Sequence, residues 1–170
     1  MSMRAFSFEV KELTDTGKFS GLASVYNVID QGSDLVEPGA FQKSIQQSGK
    51  DRPLLWRHDA PIGMVELRDT PTALEVFGRL SLGIQLAKDT LTLLKDGVVK
   101  GLSIGYQTIR SNEVGDVRHL TECKLWEVSL CPFPMNEFAL VQQVKTAQTD
   151  EVLRLLKDMR RDIFSALAQR

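Results

Sequence analysis

Residues 102–130, LSIGYQTIRSNEVGDVRHLTECKLWEVSL, decide the fold class. Both ends of the stretch are rich in β-branched and large apolar side chains. The residues between them, 112–116, include Gly115, which turns without steric cost. The stretch therefore reads as two strands, 102–110 and 117–130, folded back on each other as an antiparallel hairpin. Pro132 and Pro134 stop the second strand, because proline has no N–H to give to a ladder.

Toward the N-terminus, Ile84, Ala87, Leu91 and Leu94 fall on one face of a helix closed by Gly97. Before it, residues 53–58, 64–68 and 73–80 read as short strands, with Asp69-Thr70-Pro71-Thr72 turning between the last two, so a meander is expected. Residues 40–47 predict a short helix ended by Gly49, since Phe41 and Ile45 lie one turn apart. A polar loop is expected around Asp30 to Asp34. Residues 18–26 read as a strand, and so do Phe6, Phe8 and Val10 with their polar alternates, joined by a turn at Thr14-Asp15-Thr16-Gly17.

At the other end, Val152, Leu155, Leu156, Met159, Ile163, Ala166 and Leu167 form a helical stripe behind an N-cap at Thr149 or Asp150. The pattern fits packing on the domain's own sheet as well as on a partner chain. About seven strands with two or three inserted helices predict an α+β domain with a largely antiparallel, barrel-like sheet. The domain is expected over residues 1–145, followed by an amphipathic helix over 146–170.

The 170 residues are 42% hydrophobic and 25% charged, which suits one globular domain. With 21 basic and 22 acidic residues the net charge is -1, so no bulk positive field speaks for nucleic acid or an anionic membrane. No uncharged apolar run reaches the roughly 18 residues of a membrane span, and residues 1–10 alternate instead of forming a signal-peptide core. An intracellular protein is expected. Cys123 and Cys131 fit neither C-x-x-C redox nor zinc spacing and read as reduced core residues.

Proton transfer near neutrality has only His58 and His119 to draw on. His58 follows the apolar run Pro53-Leu54-Leu55-Trp56-Arg57 and precedes Asp59-Ala60-Pro61, where a rigid strand gives way to a loop. Ser103 lies in Gly101-Leu102-Ser103-Ile104-Gly105, and its flanking glycines would let a substrate backbone approach the hydroxyl. This is literally G-x-S-x-G, but an α/β-hydrolase elbow needs a parallel sheet and a distant following histidine, and neither is present. Tight packing is the other reading of such a serine. Glu127, inside the apolar Leu125-Trp126-Glu127-Val128-Ser129-Leu130, must be paired to escape its desolvation cost. A histidine would serve, because a carboxylate on one imidazole nitrogen supports proton uptake at the other. An ion pair with Arg57 or Arg118 would serve as well. No metal-ligand spacing involves His58, Asp59 or His119.

Together Phe19-Ser20-Gly21-Leu22-Ala23-Ser24-Val25-Tyr26, Val36-Glu37-Pro38-Gly39-Ala40-Phe41, Leu54-Leu55-Trp56-Arg57-His58-Asp59 with Ile62-Gly63, Gly101-Leu102-Ser103-Ile104-Gly105-Tyr106, and Leu125 to Leu130 with Pro134 and Asn136 form a recognisable series. In that order they resemble the HK97-type prohead maturation proteases of tailed phages and prophages, from about Phe6 to Val141. That family looks related to the herpesvirus assemblins. The resemblance implies a serine endopeptidase on a closed antiparallel β-barrel surrounded by helices, herpesvirus-protease-like. His58 would be general base and Ser103 nucleophile. The third member would be Glu127, in preference to His119, although assemblins use a second histidine.

The implied mechanism runs through an acyl-enzyme without a cofactor. The implied substrates and partners are the scaffolding segment of the major capsid protein and the protease itself, cut inside the immature prohead in the host cytoplasm. By the same resemblance the chain would be a homodimer or higher homo-oligomer, while its charge balance and hydropathy speak against direct contact with nucleic acid or membrane. Two other functions fit these residues: a non-catalytic capsid- or scaffold-binding domain of the same fold, and an esterase or amidase using the same dyad.

Overall fold

The computed structural model describes residues 15–146. Gly17–Val144 form one compact unit, to which the following applies. Its elements in chain order are β1 (Asp15–Val25), β2 (Asp34–Val36), α1 (Gln42–Ser48), β3 (Asp51–Trp56), β4 (Ala60–Asp69), β5 (Ala73–Leu80), α2 (Gln85–Lys95), β6 (Gly101–Val114), β7 (Val117–Cys131) and β8 (Val141–Thr146). The strand expected at Phe6, Phe8 and Val10 and the terminal helical stripe lie outside the described residues.

The protein is mostly β, with eight described strands in one curled half-barrel sheet ordered β2-β7-β3-β4-β5-β1-β8 and with β6 paired to β7. The hairpin of residues 102–130 is present and longer than expected. β6 and β7 pair from Gly101↔Cys131 to Val114↔Val117, leaving a tight turn at Gly115 and Asp116. The meander β3-β4-β5 is antiparallel, and β5 continues antiparallel onto β1.

Two pairings depart from the antiparallel expectation. β2 and β3 both run parallel to β7, β2 beside Arg118 to Leu120 and β3 beside Val128 to Leu130. Since β6 occupies one edge of β7 throughout, β2 and β3 take the two ends of the other edge, and α1 carries the chain between them as a parallel crossover requires. β2 has only three residues, too few for periodicity to register, so it reads from sequence as part of a polar loop. The turn expected at 14–17 is also different: Asp15, Thr16 and Gly17 open β1, because polar residues with a glycine suit a strand start as well as a turn.

Alternation within the strands fills the core. In β5, Leu74, Val76 and Leu80 are buried while Glu75, Phe77 and Arg79 point outward to differing degrees. Phe19, Leu54, Ile62, Leu67, Leu102, Leu120 and Leu130 complete the interior, and α2 adds Ala87, Leu91 and Leu94. Residues 139–141 bond to two strands at once. Leu102 N–H donates to Ala139 O at 2.7 Å, Val141 N–H to Lys100 O at 2.8 Å, and Leu22 N–H to Leu140 O at 2.9 Å.

One buried cation braces this frame. Arg52, 4% exposed, donates to the carbonyls of Ser44, Ser48, Gly49, Asp51 and Leu125 and to Ser44 Oγ. It thereby satisfies carbonyls at the C-terminal end of α1 and fastens that end to β3 and β7, the strands that carry the site.

Candidate active site

The regular part of the β6–β7 ladder pairs Ser103 with Ser129 and Gly105 with Glu127. Side chains two apart on a strand share a face, so Ser103 and Gly105 meet Glu127 and Ser129 on one side of the hairpin. β3 brings the third group from the opposite edge of β7, where Leu55 pairs with Ser129 and Trp56 with Leu130. The strand ends at Trp56, two residues earlier than expected, and His58 stands in the turn that follows.

That turn is held in a costly conformation. Arg57 and His58 have φ of 53° and 63°, left-handed values at two successive non-glycine residues, each worth about 1–3 kcal/mol of strain. Three hydrogen bonds fix it: Asp59 N–H to Trp56 O at 3.0 Å, Arg57 N–H to Leu130 O at 3.0 Å, and His58 N–H to Ser129 Oγ at 2.9 Å. The imidazole is thus aimed back over β7.

The result is a continuous chain of polar contacts. His58 Nε2 lies 3.0 Å from Ser103 Oγ, and His58 Nδ1 lies 2.6 Å from Glu127 Oε1. With Nδ1 protonated, the ring donates to the carboxylate and accepts from the serine hydroxyl; this tautomer follows from the partners. The other carboxylate oxygen, Oε2, accepts from Ser129 Oγ at 2.8 Å. The histidine side chain is 45% exposed and the glutamate 12%, so a substrate can reach the proton-transfer end while the carboxylate stays shielded.

Gly105 has a role that the reading of its neighbourhood missed. A Cβ there would collide with Glu127 Oε1, so the absent side chain makes room for the carboxylate rather than for a substrate backbone. A Cβ on Gly101 would meet Cys131 O at 2.5 Å and Pro134 Cδ at 2.7 Å, which is a packing constraint. Beside Ser103 opens a pocket of about 140 Å³, lined by Ala23, Val36, Leu102, Ile104, Tyr106 and Met135 among others.

The remaining candidates are elsewhere. His119 Nδ1 meets Glu37 Oε1 at 3.0 Å on the strand pair β2–β7, where β6 contributes Asn112, nine residues beyond Ser103. Arg118 is committed to Asp34, with Nε 2.7 Å from Oδ1 and Nη2 2.6 Å from Oδ2; Tyr106 donates to the same carboxylate at 3.1 Å. The Arg118 bonds hold the Asp34 carboxyl below its usual range, while burial first and then the charge of Asp34 push the Tyr106 phenol up. Both cysteines are buried and free. Burial pushes the Cys123 thiol up to about 11 and raises Cys131 as well, which leaves them poor nucleophiles. Ser129 was not singled out from sequence; the signal was its position two residues after Glu127, on the same strand face.

The caudovirus prohead serine proteases, as a family, match residues 6–154. The chain is 28% identical over 173 residues to the prohead protease of Enterobacteria phage HK97, covering 94% of this chain and 76% of that protein. It is 30% identical over 162 residues to the capsid polyprotein of Pseudomonas phage PAJU2, covering 87% of this chain and 23% of that much longer protein.

Proposed function

Because the chain belongs to the caudovirus prohead serine protease family, we propose that Ser103 is its nucleophile, His58 its general base and Glu127 the carboxylate that supports the histidine. The observation that carries this reading is the unbroken path from Ser103 Oγ through both imidazole nitrogens to Glu127 Oε1, at 3.0 and 2.6 Å. Ser103 Oγ attacks the scissile carbonyl carbon as its proton passes to His58 Nε2. Glu127 stabilises the resulting imidazolium, which then protonates the leaving amine. Water, deprotonated by His58, releases the acyl group and restores the serine. His119 is given no part, because its ring is engaged by Glu37.

The pocket beside Ser103 receives a substrate side chain in this reading. The substrates are the scaffolding segment of the capsid protein and the protease itself, cut within the prohead. Support for the capsid as partner comes from the names of the two relatives, a prohead protease and a capsid polyprotein. The proposal keeps the assemblin-like barrel, the division into residues 1–145 and a terminal helix over 146–170, and an associated active form. Among the described residues no helix is long and apolar enough to cross a membrane.

The test is to express the wild type and Ser103→Ala with a capsid-scaffold polypeptide and to treat each with a fluorophosphonate. The wild type is expected to cut the polypeptide and to carry the label on Ser103; the variant is expected to fold and do neither. A folded Ser103→Ala protein with full proteolysis would end the proposal. Hydrolysis of small esters without cleavage of any polypeptide would favour the esterase alternative.

A further inference from the structure

The hydroxyl of Ser129 joins two parts of the site that no other side chain connects among the described residues. As donor it binds Glu127 Oε2 at 2.8 Å, and as acceptor it receives the main-chain N–H of His58 at 2.9 Å. With His58 Nδ1 on Glu127 Oε1 the contacts close into a ring: histidine backbone, serine hydroxyl, carboxylate, histidine imidazole. Ser129 is wholly buried, so water does not reach its hydroxyl. We propose that Ser129 is a positioning residue that locks the Glu127 carboxylate and the strained His58 turn in register with each other. This inference rests on the assignment of Ser103, His58 and Glu127 made above.

Two physical effects follow. First, a carboxylate held at only one oxygen can rotate about its last bond; held at both, its Oε1 stays where the imidazole needs it. Secondly, the donor from Ser129 stabilises and disperses the Glu127 charge. Without it the carboxylate attracts the imidazolium more strongly and is itself more basic, so the pair binds a proton more tightly. Activity requires His58 unprotonated. The acid limb of the rate profile must therefore move to higher pH when the donor is lost.

Arg57 and Asp59 flank His58 in its turn, Cys131, two residues beyond Ser129 on β7, feels the Glu127 charge, and Asp30, Asp34 and Tyr106 line the pocket that opens beside Ser103. β6 brings Ser103 and Gly105, neither of them charged. The Cys131 thiol, raised by burial, stays neutral through the assay range.

The experiment compares wild type, Ser129→Ala, Ser129→Cys and Ser129→Thr by thermal melting, fluorophosphonate labelling, kcat, KM and the pH dependence of kcat/KM between about pH 5 and 8. Wild-type labelling at Ser103 first tests the underlying assignment; its absence would defeat that assignment and not the role of Ser129 alone. Given labelling, Ser129→Ala is expected to lower kcat roughly 10- to 100-fold with KM within about twofold, and to move the acid limb upward by about half a unit. Ser129→Thr keeps the hydroxyl and is expected to restore the wild-type limb. Ser129→Cys keeps the volume with a weak donor and is expected to behave like alanine, so it decides the matter if the alanine variant does not fold. A folded Ala or Cys variant with the wild-type acid limb and a kcat within twofold overturns the proposal, reducing Ser129 to packing.

Discussion

Replacing Gly105 by alanine adds one methyl group in a strand, a change that is ordinarily mild or favourable because glycine is a poor strand former. Here the new Cβ would overlap Glu127 Oε1, with Cδ at 2.9 Å and Cγ at 3.0 Å, so three atoms of the same carboxylate arm stand in its way. The arm has little freedom to yield. Oε1 is bonded to His58 at 2.6 Å, Oε2 to Ser129 at 2.8 Å, and the side chain is 12% exposed. Overpacking of this kind costs about 1–3 kcal/mol, a part of which is relieved if Glu127 swings away. Under the proposed assignment either response damages the site, because a displaced Oε1 no longer holds the imidazole in its productive tautomer. Loss of that support costs on the order of 10²- to 10⁴-fold in kcat.

Proteolysis of a capsid-scaffold polypeptide, read beside the melting temperature, measures both effects, and Gly83→Ala supplies the control. A Cβ at Gly83 meets nothing within 4 Å, so that variant is expected to keep its activity and to change stability by less than about 0.5 kcal/mol. A Gly105→Ala protein with wild-type kcat and wild-type melting would refute the argument, for it would mean that the carboxylate is not where the chemistry needs it.

Other expectations follow from the same contacts. Glu127→Gln is expected to lower kcat on the order of a thousandfold or more, while His119→Gln, which disturbs only the contact to Glu37, stays within about threefold; the reverse order would transfer the third role to His119. Arg52→Met is expected to lower the urea-derived stability by about 2–4 kcal/mol, because the buried carbonyls of Ser44 in α1 and Leu125 on β7 lose their donor; a change under 0.5 kcal/mol would show that they find other partners. The depressed Asp34 carboxyl contributes stability that is present above its unfolded pKa of about 3.9 and is lost as pH falls through the lower folded value. The melting-temperature gap between wild type and Arg118→Ala is therefore expected to be constant at neutral pH and to close below about pH 4; a gap that widens on acidification would contradict the assignment.

What the residues disclosed on their own was governed by pattern length. The hairpin β6–β7, the meander β3-β4-β5 and both described helices have enough residues for a period of 2 or 3.6 to stand out. β2 does not, and its parallel seat on β7 depends on a crossover through α1 that no local signal announces. The residues of the candidate triad stood out for a similar reason, since a serine between glycines, a histidine at a strand end and a carboxylate in an apolar run each break a local rule, but their proposed roles came from the family resemblance. Ser129 breaks none. A serine in a strand is ordinary, and its importance arises only when β3 brings the His58 main chain against it. The left-handed turn at Arg57 and His58 was hidden for the opposite reason, since positions of positive φ are expected to carry glycine or asparagine and these carry neither.

The geometry of the site is a statement about register. From Gly101↔Cys131 to Gly105↔Glu127 the β6–β7 ladder runs without interruption, and the first irregularity falls between Gly105 and Tyr106. A slip of one residue within the regular stretch would turn Ser103 to the opposite face and put Leu102 or Ile104 before His58. Leu102 is fully buried, so such a slip would also expose a core side chain, and the core thereby enforces the alignment of serine, carboxylate and hydroxyl. Beyond Gly105 the bulges release β6 from that constraint, which lets Tyr106 reach Asp34 while the five pairs that carry Ser103, Gly105, Glu127 and Ser129 stay fixed. The first uninterrupted run of the hairpin ends where the candidate chemistry ends. Mutations that loosen the ladder between residues 101 and 105 should therefore act on catalysis as well as on folding, whereas those between 108 and 114, where buried Leu120 and Cys123 lie opposite, should act on folding alone.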